Sequence, residues 1–113
     1  LPEVVLVCKT ITPTEVIFEE RKIWETLIPE VDNVGDIIQI REEILKITRV
    51  LNQLGEVVHQ TKNLEEKESN KRAKDHVPLV DRQYDSLTEL DEEQNVVDRQ
   101  DEFKETHYKS EPN

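Results

Sequence analysis

The chain has 113 residues and a net charge of −11, with charged side chains at 36% and the hydrophobic set at 35%, so it is one domain's length with little apolar material to bury. That charge excludes a basic nucleic-acid-binding face, and the longest apolar run, Val4 to Cys8, is too short to span a bilayer as a helix. Glycine occurs only at Gly35 and Gly55, which argues against a turn-rich all-β fold and against a phosphate-cradling loop.

The single cysteine, Cys8, excludes an internal disulfide and fits a reducing, intracellular setting, the cytoplasm first with the nucleus left open. The absence of methionine and the opening Leu1 point to a processed product or a piece of a longer protein. Composition divides the chain into an apolar, β-branched zone (1–32), a periodic zone (33–74) and an acidic zone (75–113), with no evident internal repeat.

The stretch from Val4 to Ile11 has strand propensity. It reads as an extended arm packed on helices or as a strand that pairs with another chain's sheet edge, because no partner strand is apparent in this chain. Thr12-Pro13-Thr14-Glu15 has the form of a capping box with proline at the first helical position, predicting a helix over 13–28. Val16, Ile17, Ile23, Trp24, Leu27 and Ile28 form its apolar face, with Trp24 as anchor, and Pro29 ends it. Pro29 to Asp36 then reads as a turn.

From there Ile37, Ile40, Ile44, Ile47, Leu51, Leu54, Val58 and Thr61 alternate by three and four, the a/d spacing of a coiled coil. Ile38, Leu45, Val50, Val57 and Leu64 widen the stripe toward a bundle of three or more helices. The spacing predicts one helix over 34–72, about 60 Å long at 1.5 Å per residue, that projects from the rest of the chain. Gly55 is its weak point. A third helix over 79–108 would carry Val80, Tyr84, Leu87, Leu90, Val97, Phe103 and Tyr108. That stripe is thin, and the excess of acid around it predicts that the zone needs a partner to order it.

Motifs for chemistry are sparse. Glu56-Val57-Val58-His59 matches the ligand pair of di-iron bundles, but the second such pair that chemistry requires is missing. His59-Gln60-Thr61-Lys62-Asn63 resembles the phosphoacceptor segment of histidine phosphotransfer domains, which implies a four-helix bundle with His59 as phosphoacceptor. Cys8 sits in an apolar run, and His76 and His107 lack an orienting motif. Lys71 to Lys74 reads as a helix end, and Ser86 and Thr88 as caps or acid-directed phosphorylation sites.

These features predict an all-α fold: an elongated coiled coil or open helical bundle with one long central helix and an N-terminal arm. The leading functional reading is a non-catalytic scaffold, tether or adaptor subunit working by coiled-coil packing, with Trp24, Ile37, Ile40, Ile44, Ile47, Leu51, Leu54 and Val58 as interaction residues. Its partners would be other protein chains, identical or different, with no cofactor, metal, small-molecule substrate, nucleic acid or membrane insertion. The alternative is a signalling bundle of the phosphotransfer type.

Overall fold

A computed structural model describes residues 2–29, 35–73 and 75–108, and it replaces every expected helix with strands. Six strands run in chain order: β1 (Val4–Ile11), β2 (Glu15–Ile28), β3 (Ile37–Leu51), β4 (Val57–Arg72), β5 (Asp75–Leu90) and β6 (Val96–His107). They form one sheet in the order β1-β2-β3-β4-β5-β6, each antiparallel to the next. No helix occurs among the described residues, so the all-α class, the coiled coil and the phosphotransfer bundle are all overturned.

The sheet is a single layer. Its extents are 63 × 25 × 20 Å and its radius of gyration is 19.2 Å, against about 13 Å for a compact chain of this length. Five inter-strand spacings of about 4.8 Å account for the 25 Å width, and the long strands account for the 63 Å length. No hydrophobic residue is buried among those described, and Ser69 is the one buried polar residue.

Alternation along each strand divides the side chains between two faces. Val5, Val7, Phe18, Trp24, Leu45, Ile47, Leu64, Tyr84 and Phe103 share one, here the tryptophan face. Leu6, Cys8, Ile17, Ile23, Ile40, Ile44 and Val50 share the other, the cysteine face. The predicted seam is split by this parity. Ile37 and Ile47 lie on the tryptophan face with Trp24, whereas Ile40 and Ile44 lie on the cysteine face. Leu51 closes β3, Leu54 stands 83% exposed in the following turn, and Val58 is the extra residue of a bulge. A spacing that alternates three and four changes parity at every odd step, so it cannot line one side of a strand.

The capping signal at Thr12 is real but serves a hairpin. The Glu15 N–H donates to Thr12 Oγ1 at 3.0 Å, the same three-residue reach an N-cap makes, while the Thr12 N–H donates to the Glu15 carbonyl at 2.8 Å. Two residues, Pro13 and Thr14, therefore turn β1 into β2. The expected arm thus has a partner inside the chain. Of the turn expected at Pro29 to Asp36, residues 30–34 lie outside the described set, as does the C-terminal 109–113.

An internal repeat, missed in the sequence, emerges at the loops. Asn52–Glu56 and Asp91–Asn95 close their hairpins identically. The first residue donates its N–H to the carbonyl of the fifth, at 2.9 Å in each case, and its side-chain oxygen accepts the N–H groups of the third and fifth residues. Both loops are followed by a Val-Val pair, and the register shifts at Val50/Leu51 and at Glu89/Leu90. The fourth loop residue has positive φ: Gly55 at 81°, Gln94 at 65°. Pro78 sits at the other irregularity, between Glu68 and Ser69, where a proline in a strand is tolerated.

The two loops generate a matched prediction. Gly55→Ala should lower stability by about 1–2 kcal/mol through backbone strain alone, because a Cβ there meets nothing within 4 Å. Gln94→Gly should raise stability by a smaller amount. Chemical denaturation of the two variants checks both signs, and a Gly55→Ala chain as stable as the parent contradicts the turn geometry.

Candidate interaction surface

The sheet is chemically lopsided. Residues 75–107 hold eleven Asp and Glu against three Lys and Arg, whereas β1 carries Lys9 as its one charged side chain. The acidic strands hold together by cross-strand pairs. Leu64, Tyr84 and Phe103 form an apolar row on the tryptophan face, with the two rings 4.8 Å apart. Arg82 reaches Glu105 at 2.8 Å, and on the cysteine face Gln83 donates to Glu65 at 3.0 Å while Asn63 donates to Asp85 at 2.7 Å.

Charge on these strands is tuned locally. Burial pushes the Glu65 carboxyl up, but the hydrogen bonds from Gln83 and Lys67 outweigh it and hold the group below its ordinary value. Burial and the neighbouring Glu65 push Asp81 the other way. Glu105 is held low by His107 and then Arg82, and Asp101 by the Ser86 hydroxyl and then Arg99. Because the β5–β6 strands meet through these groups, their acid response differs from that of the rest of the sheet.

The apolar strands end differently. β6 ends the sheet on one side with Asp98, Arg99, Asp101, Glu102, Lys104 and Glu105, charges that discourage a further strand. β1 ends it on the other side with Val-Val-Leu-Val-Cys, and every residue from Val4 to Ile11 is exposed. Leu6 and Val7 are each 58% exposed and Ile11 67%. Since the Thr12 N–H points toward β2, alternation along β1 turns the backbone groups of Ile11, Lys9, Val7 and Val5 outward, away from any partner in the sheet.

The residues expected to carry interaction are thus dispersed. Trp24 is half-buried under Arg41, whose guanidinium lies 4.4 Å from the ring centroid, so its face is already occupied by a cation. Ile37, Ile40, Ile44, Ile47 and Leu51 are half-buried between β2 and β4, and Leu54 and Val58 belong to the turn and bulge that follow. The expected phosphoacceptor, His59, sits on a strand with its Nδ1 2.5 Å from Glu89 Oε1. His76 meets Ser69 Oγ at 2.8 Å and His107 meets Glu105. The three histidines are therefore scattered over the sheet. No group of three metal-ligating side chains converges among the described residues. The Val4–Ile11 segment, expected as an arm packed on helices or as a strand pairing with another chain, pairs with β2 of its own chain, and its edge position depends on β2 being a strand.

Comparison with protein-family models, with curated proteins and with solved structures finds no match.

Acid is expected to weaken β6 first. A carboxylate held below its ordinary value contributes stability above that value and loses it as pH falls through the lower folded one. Glu105, with an ordinary value of 4.5, and Asp101 act in this direction, whereas the raised Asp81 gains from protonation and opposes them. As pH drops below about 4.5, the amides of β6 should lose exchange protection before those of β3, and Glu105→Gln should flatten that response. Simultaneous loss across the sheet contradicts the assignment.

Proposed function

We propose that the chain is a non-catalytic β-sheet interaction module whose apolar edge, β1, takes up an extended polypeptide strand. The observation that carries this reading is the conjunction of an unprotected edge with exposed apolar side chains on both of its sides. An edge strand presents a row of unpaired N–H and C=O groups, and strand addition satisfies them while burying the side chains that flank them. Natural edges are blunted by charge, proline, bulges or covering elements, and β6 is blunted by charge while β1 has only Lys9 and no register shift. The partner in this reading is protein: backbone pairing needs a polypeptide, and the excess of acid over the rest of the sheet disfavours an anionic nucleic acid.

A direct test uses a capped, lysine-tagged octapeptide of alternating valine and threonine, added to dilute protein. Amide exchange at Val5, Val7, Lys9 and Ile11 should slow at least tenfold, with Leu6, Cys8 and Thr10 little changed. Absence of any protection at these four amides contradicts the reading.

A further inference from the structure

The occupant of the β1 edge follows from the geometry of that edge. We infer that β1 pairs antiparallel with β1 of a second copy of this chain, in the register that sets Cys8 opposite Cys8 of the other copy. This deepens the strand-uptake reading above and rests on it.

Three observations select a second copy. First, β1 is nearly neutral while residues 75–107 carry most of the net −11, so joining two β1 edges places both acidic halves at the far ends of the assembly. A head-to-tail arrangement would instead set β1 against the charged β6 edge. Second, an antiparallel pair of identical strands has a two-fold axis normal to the sheet, which closes the assembly as a dimer and continues each face of one copy into the same face of the other. Third, the outward backbone groups choose the register. They belong to Val5, Val7, Lys9 and Ile11, because Thr12 bonds inward to Glu15.

Pairing Val5 with Ile11 and Val7 with Lys9 of the other copy satisfies all of those groups on both chains. Each such pair exchanges two backbone hydrogen bonds, giving eight across the junction. Sliding by one step toward the N-terminus sets Val7 against Val7 and requires Glu3 opposite Ile11. The Glu3 N–H is already committed to the Ile23 carbonyl at 2.8 Å, so in that register the outward Ile11 carbonyl of each copy is left without its donor. Sliding the other way opposes Lys9 with Lys9, a like-charge pair at the centre of the junction. In the favoured register Cys8 meets its counterpart at a non-hydrogen-bonded position. The Cα atoms there are about 4.5 Å apart, inside the span of about 4.4–6.8 Å that a disulfide accepts. Cys8 is exposed and free, which makes it a reporter of the register.

Sedimentation equilibrium of the Cys8→Ser chain tests association without the thiol, and a concentration-dependent dimer is expected. Val7→Pro in that background removes one outward N–H at an edge position where proline is tolerated, so the strand-rich circular dichroism should persist while dimer affinity falls at least tenfold. The register is read by mild diamide oxidation of the Cys8 chain, which should give covalent dimer at least ten times faster than Leu6→Cys combined with Cys8→Ser. A chain that stays monomeric to millimolar concentration, a dimer indifferent to Val7→Pro, an open-ended polymer, or equal cross-linking at the two positions each overturns the inference. If the monomeric chain still takes up the valine–threonine peptide, the homodimer alone fails; if it takes up neither, strand uptake at β1 fails with it.

Discussion

Alternation of side chains across one uncovered sheet governs this molecule. A strand sends successive residues to opposite sides, and with no second layer among the described residues both sides meet water. The apolar residues of β2 and β3 are shared between two faces, so neither face becomes a core, and side chains such as Ile44 and Ile47 are half-buried by their strand neighbours alone. Shape follows from the same constraint, because a sheet that is not folded over onto itself must be long and thin.

Cohesion then falls to the backbone ladder and to pairs of side chains on neighbouring strands. Trp24 under Arg41, Arg49 with Gln60 at 2.9 Å, and the Leu64–Tyr84–Phe103 row each fasten one strand to the next. Such pairs contribute roughly 0.2–1 kcal/mol apiece, so stability accumulates strand by strand rather than from one buried centre. The polarity of the chain is arranged accordingly. Acidic strands are stitched by local pairs and face solvent, and the apolar strands lie toward the opposite edge, where β1 is exposed. The repeated loop at Asn52 and Asp91 fits a sheet built by adding one hairpin after another.

Some outer limits of the elements were legible in the sequence, but their type and the hairpin breaks inside 34–72 and 79–108 were not. The break after Ile28 and the strand propensity of Val4–Ile11 both coincide with the structure. The strand type is hidden because β3 is apolar on both parities, which a three-four count reads as a helical stripe. Its five isoleucines, stiff at χ1 and favourable on a pleated surface, were the contrary signal, as were Asn52 and Gly55 between two apolar runs. β4 concealed itself further, since Glu65, Glu66, Lys67 and Glu68 are strong helix formers that here follow their strand neighbours. At Thr12 the capping pattern marks a real hydrogen bond but leaves its consequence open, because an N-cap and a tight hairpin use the same oxygen-to-amide reach. The exposed edge was beyond sequence reasoning: that β1 lies outermost depends on the order of all six strands.

Side-chain proximity measured in solution by nuclear Overhauser effects on the full chain tests the single-layer meander most directly. The account predicts cross-peaks joining Leu45 to Leu64, Leu64 to Tyr84 and Tyr84 to Phe103, with none linking Ile40 to Ile44 or Ile44 to Ile47 through a helical turn. Strong contacts three and four residues apart along 37–58, with the cross-strand row absent, would contradict it.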